Sequence, residues 1–171
     1  MGVSSERSIA EGVARGAIDR GVTLEEAAAT SSLLYLAQPI SKILEVIPKL
    51  GGAGSGTLIT DAGSTKGMIA ERARESKLAA QFLGGHPMAG KESRGAGAAE
   101  AGLFRGRTYF LTPREVSELD TPVASAFVGW LRKMGANVIP ISPAATYPSA
   151  PARPPSGADG YVDGKSTRLN S

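Results

Sequence analysis

A chain of 171 residues is long enough for one domain with a proper core and too short for two of ordinary size. With no Cys and a single His, it excludes disulfides, thiolate catalysis and Cys- or His-rich metal centres, so no metal is expected. Its 19 Lys and Arg against 16 Asp and Glu give a formal charge of +3 without any basic block, which argues against nucleic acid and suits anionic small molecules.

The first predicted element is a helix over residues 5–17, with Ile9, Val13 and Ala17 at helical spacing and Ser4 or Ser5 as its cap. Thr23, followed three residues later by Glu26, resembles a capping box and opens a second short helix. Residues 32–37 form a continuous apolar run ending before Pro39, the pattern of a strand buried on both faces, and residues 40–50 return as a helix. A strand over 57–61, a helix over 66–76 and a third strand over 81–84 leading into a loop continue the alternation. A strand over 109–111, a helix over 121–134 around Phe127, Trp130 and Leu131, and a last strand over 137–141 complete it.

Strand alternating with helix implies βαβ units and therefore an α/β fold, a mainly parallel sheet covered by helices on both faces. Ligands of such open sheets bind beyond the carboxyl ends of the strands, which here means the loops at 37–39, 61–66 and 84–92. From about residue 146 the chain is Pro, Ala, Ser and Gly with almost no apolar side chain. The expected organisation is thus a folded region over 1–145 and an unstructured, non-native tail over 146–171. No apolar run approaches the roughly 20 residues of a membrane span and no signal-peptide pattern opens the chain, so no membrane partner and a cytoplasmic location are expected.

Two motifs fall in the predicted ligand loops. Thr60 to Gly67, TDAGSTKG, joins a strand to a helix. Gly63 permits a tight turn there, and Ser64 and Thr65 place hydroxyls and amides at a helix N-terminus, where polar or anionic ligands are favoured; a plainly capped helix reads the same way. Gly84 to Gly90, GGHPMAG, carries the only histidine, with Pro87 stiffening the turn and His86 directed from it into the crevice.

Together these motifs resemble the prephenate/arogenate dehydrogenase family of tyrosine biosynthesis. The similarity continues in order through residues 91–95 (KESRG), 102–106 (GLFRG) and 109–113 (YFLTP), and it covers about residues 2–143. The resemblance implies a Rossmann-like nucleotide-binding domain and an oxidative decarboxylation of prephenate or arogenate. A hydride leaves the ring carbon bearing the 4-hydroxyl for NAD or NADP, carbon dioxide departs and the ring becomes aromatic. By this likeness His86 takes the hydroxyl proton, a role that needs a neutral imidazole, which an unperturbed pKa of about 6.5 already supplies. Ser64 matches the family serine that bridges the histidine, the substrate hydroxyl and the nicotinamide. Lys91 stands where a substrate carboxylate is met, although a solvated loop lysine is an equal reading. Ala37, Gln38 and Pro39 correspond to the loop passing under the cofactor. Ser4 and Ser5, with Arg7 close by, occupy the place of an acidic residue that would bind a ribose 2′-hydroxyl, which tilts the choice slightly toward NADP; Glu6 pulls the other way, and helix caps explain the serines equally.

The sequence departs from the family in two ways. The GxGxxG phosphate fingerprint is absent, so about 30 residues of βαβ unit are expected ahead of Gly2, and the helical C-terminal domain, through which a full-length member is expected to form a homodimer, has no counterpart. The resemblance thus implies a chain truncated at both ends, for which turnover on its own is not expected. An inert fragment or nucleotide-binding module fits the missing fingerprint. Another Rossmann-type hydroxyacid dehydrogenase fits the alternation but leaves GGHPMAG unexplained.

Overall fold

A computed structural model describes residues 1–90 and 95–141. The expectations for Lys91 and for the tail therefore lie outside the described residues. In chain order the elements are α1 (Glu6–Ala14), α2 (Leu24–Thr30), β1 (Leu33–Leu36), α3 (Ile40–Val46), β2 (Leu58–Asp61), α4 (Lys66–Glu75), β3 (Phe82–Pro87), β4 (Thr108–Thr112), α5 (Pro122–Lys133) and β5 (Asn137–Pro140). Short 3-10 turns lie at Ile47–Leu50, Ala96–Ala98 and Val116–Asp120.

The strands form one sheet in the order β1-β2-β3-β4-β5. Its β1–β2, β2–β3 and β4–β5 pairs are parallel. Neighbouring strand residues point to opposite faces, and two hydrophobic cores follow from that alternation. Leu34, Leu36, Ile59 and Phe82 face one core with Ile43, Ile47, Leu50 and Ile69 from the α3–α4 side. Leu83, Tyr109 and Leu111 face the other, against Ala124, Phe127, Val128 and Leu131 of α5. The sheet is thus covered on both faces, as the doubly wound reading anticipates.

The structure corrects several local expectations. The β3–β4 pair is antiparallel. Among the described residues of the β3–β4 connection only a 3-10 turn appears, and without a crossover helix the chain turns back beside its own strand. That partner also lengthens β3: β2 pairs with Phe82 and Leu83, and β4 then takes Gly84 to Pro87, so the strand runs three residues past the expected end. His86 accordingly stands on a strand, not on a loop. Helix α1 stops at Ala14 because Gly16 adopts φ +66°, and its amide and that of Ala17 fold back onto the carbonyls of Val13 and Gly12. Helix α3 tightens into a 3-10 turn where Pro48 has no amide to donate. Thr23 caps α2 through the Glu26 amide at 3.1 Å, but Glu26 pairs with Arg20 at 2.7 Å instead of closing the box. Trp130 is half exposed and not part of the α5 core.

Candidate active site

The β1–β2 register places Leu36 beside Asp61, and the Ala62 amide donates to the Leu36 carbonyl at 3.0 Å. The turns that leave β1 and β2 therefore start side by side, so Ala37, Gln38, Pro39 and Ser64 belong to one end of the sheet. Extending the β2–β3 register sets Asp61 level with Gly84, and His86 lies just beyond that level on β3.

The strongest interaction there involves two residues that sequence reasoning passed over. Asp61 closes β2 and Lys66 opens α4, and their side chains are 0% and 4% exposed. The Lys66 ammonium donates to Asp61 Oδ2 and to the Gly85 carbonyl. The same carboxylate accepts the Gly63 amide at 2.8 Å and the Gly85 amide at 3.2 Å. One buried ion pair thus holds the residue before Ser64 and the residue before His86. A buried charge is tolerated only when so paired. A lysine in the first turn of a helix opposes the macrodipole, and its position next to a strand-ending aspartate was the sequence signal for a buried partner.

The two glycines of GGHPMAG fit this arrangement. A Cβ on Gly84 would press on the Thr112 side chain and come within 3.4 Å of the Lys66 stem. A Cβ on Gly85 would stand 2.5 Å from the Asp61 carbonyl oxygen and 2.9 Å from the Tyr109 hydroxyl. They are strand residues that let backbone and lysine approach, and not a junction between strand and loop.

His86 is half buried, across from Phe110 of β4. Burial holds its pKa below the ordinary histidine value, and the positive charge of Lys66 lowers it further while Asp61 opposes. The ring is therefore neutral at neutral pH, the form a proton acceptor needs. Ser64 sits exposed in the turn before α4. Thr65, the N-cap of that helix, makes no capping bond, and its buried Oγ1 and that of Thr60 have no hydrogen-bond partner. Burial also pulls the Lys66 ammonium below the usual lysine range, against the attraction of Asp61.

A cavity of about 500 Å³ runs along β1, lined by Gly2, Val3, Leu34, Leu36, Gln38 and Trp130 among others. Gln38 is the member of the 37–39 loop that faces it. Ser5 spends its hydroxyl capping α1, accepting from the Ser8 amide at 3.4 Å, and Ser4 and Arg7 are exposed beside it. The cleft beside β1, the β2–α4 turn and the unpartnered Thr65 hydroxyl at its helix start are the features that could hold a cofactor. Among the described residues no GxGxxG turn leads from a strand into a helix, the arrangement that cradles a pyrophosphate. Among the described residues no group of three or more His, Asp or Glu could hold a metal, and no helix is long and apolar enough to cross a membrane.

Residues 2–139 match the family model described as prephenate dehydrogenase, nucleotide-binding domain. The chain is 39% identical over 134 residues to the prephenate dehydrogenase of Lactococcus lactis subsp. cremoris, a match that takes in 74% of this chain and 38% of that protein. Among solved structures, Aquifex aeolicus prephenate dehydrogenase in complex with hydroxyphenyl propionate and NAD+ superposes with a TM-score of 0.73 at 27% identity, over 85% of this chain and 51% of that one. Synechocystis arogenate dehydrogenase superposes with a TM-score of 0.71 at 30% identity, over 83% and 50%. The chain spans well under two thirds of each of these relatives. The match over residues 2–139, on a sheet whose strand ends carry Ser64 and His86, shows that the chain belongs to the prephenate dehydrogenase family and carries its nucleotide-binding domain.

Proposed function

We propose that this domain contributes the proton acceptor and the nicotinamide-side turns to an NAD(P)-dependent oxidative decarboxylation of prephenate or arogenate in the cytoplasm. The observation that supports it most is the half-buried His86, tied through Asp61 to the turn that carries Ser64. The bound cofactor supplies the hydride acceptor. His86 accepts the proton of the substrate hydroxyl, and Ser64 orients that hydroxyl against the imidazole. Ala37, Gln38 and Pro39 shape the cofactor's bed, with Lys91 meeting a substrate carboxylate. Ser4, Ser5 and Arg7 stand where the adenosine ribose belongs, and the lack of an acid directly at that position supports NADP over NAD. A full-length member of the family would supply the pyrophosphate cradle and form a homodimer.

The experiment is turnover with prephenate and with arogenate, each with NAD+ and NADP+, by the chain as given and by the same domain within a full-length protein, alongside His86→Asn. Full-length turnover that drops by several orders of magnitude in His86→Asn supports the reading. Equal rates in the full-length protein and its His86→Asn variant overturn it, and robust turnover by the 171-residue chain alone would show that the cradle is dispensable.

A further inference from the structure

We infer that Asp61 and Lys66 form a positioning pair that fixes the Ser64 turn and the His86 strand in one geometry. The inference rests on the reading of His86 and Ser64 as the reacting site. Four hydrogen bonds carry it: Asp61 to the amides of Gly63 and Gly85, and Lys66 to Asp61 and to the Gly85 carbonyl. Gly85 therefore has both its amide and its carbonyl committed to the pair, one residue before the imidazole. Gly63 is committed one residue before Ser64. A movement of either catalytic element must break a bond to a charged group that is buried and has no water to replace it. The glycines at 84 and 85 admit the lysine stem and the aspartate carbonyl, so TDAGSTKG and GGHPMAG act as one unit.

The pair also sets the electrostatics of the ring. Among the described residues the charges acting on His86 are Lys66 from α4 and Asp61 from β2; β4 presents Phe110 opposite, and the neighbouring Tyr109 hydroxyl stays neutral because burial drives its pKa far upward. Removing one charge at a time must move the imidazole in opposite directions, which a role in stability alone does not predict.

Because His86 is the only histidine, its ring gives a single set of resonances, and the 171-residue chain can be titrated directly by NMR whether or not it turns over. Lys66→Met is expected to raise the His86 midpoint toward the ordinary value of about 6.5. Asp61→Asn is expected to lower it below that of the parent. The double variant Asp61→Asn/Lys66→Met leaves no unpaired buried charge and so keeps the fold even where a single variant does not. In it the asparagine side chain keeps a single acceptor oxygen for two amides, so at least one of Gly63 and Gly85 should exchange with solvent ten-fold faster or more, with helix amides in α5 unchanged. Unaltered ring midpoints in both folded single variants, or unaltered Gly63 and Gly85 exchange in the double variant, overturn the inference. Failure of the dehydrogenase reading shows elsewhere, as turnover indifferent to His86→Asn.

Discussion

Replacing Gly85 by Ala puts one methyl group where there is no room. Its carbon would stand 2.5 Å from the Asp61 carbonyl oxygen, 2.9 Å from the Tyr109 hydroxyl and 3.1 Å from Thr60 Oγ1. The nearest atom is backbone of a strand already paired on both sides, and Tyr109 and Thr60 are fully buried, so none of the three can swing away. Overpacking of this kind typically costs 1–3 kcal/mol, and a clash with backbone belongs at the upper end, about 3 kcal/mol. At roughly 2–4 °C per kcal/mol for a chain of this size, the thermal midpoint should fall by about 6–12 °C. Gly129→Ala is the matched control, because its added carbon meets nothing within 4 Å and it lies inside α5. Helix propensity then predicts a gain of about 0.5–1 kcal/mol. Thermal and urea unfolding of both variants, followed by circular dichroism, should show shifts of opposite sign. A Gly85→Ala protein as stable as its parent would refute the close approach of β2 and β3 on which the site is built.

The depressed pKa of His86 gives stability a pH dependence with a definite sign. Below about 6.5 the unfolded chain takes up a proton that the folded ring resists, so this contribution is complete above that pH and is lost as the pH falls toward the folded value. His86→Asn should abolish that component of the urea-midpoint profile; a profile identical to the parent's would show that the ring is not perturbed. The Tyr109 hydroxyl donates to the Tyr35 hydroxyl at 3.1 Å. Tyr35→Phe leaves the buried Tyr109 hydroxyl without its acceptor and should cost about 1–3 kcal/mol, whereas Tyr109→Phe leaves only the half-exposed Tyr35 hydroxyl and should cost about 1 kcal/mol. Equal losses in urea unfolding would mean that water reaches this pair.

The order of strands and helices was legible because each element is long enough for its period and is bounded by Gly, Pro or a capping hydroxyl. Thr23, Ser5 and Thr121 all cap the helices they precede. What the sequence did not disclose depends on partners distant in the chain. The extension of β3 to Pro87 comes from β4, whose antiparallel approach has no local signature. The ends of α1 and α3 were overrun because apolar spacing outlasts the backbone's ability to continue past Gly16 and Pro48. In the site, Ser64 and His86 stood out by residue type and setting. Asp61 and Lys66 did not, since the one local hint, a lysine opposing the macrodipole in the first turn of α4, does not separate a buried pair from two surface charges until both are seen without solvent.

The most direct test of the account follows the His86 ring resonances while prephenate, and separately NAD+ or NADP+, is added to the protein. If the imidazole faces the reacting hydroxyl, prephenate in the presence of cofactor should shift the ring signals in a saturable way, and His86→Asn should weaken prephenate binding while sparing that of the cofactor. Ring signals that stay in place at concentrations where the ligand demonstrably binds would contradict the assignment of His86 as the proton acceptor.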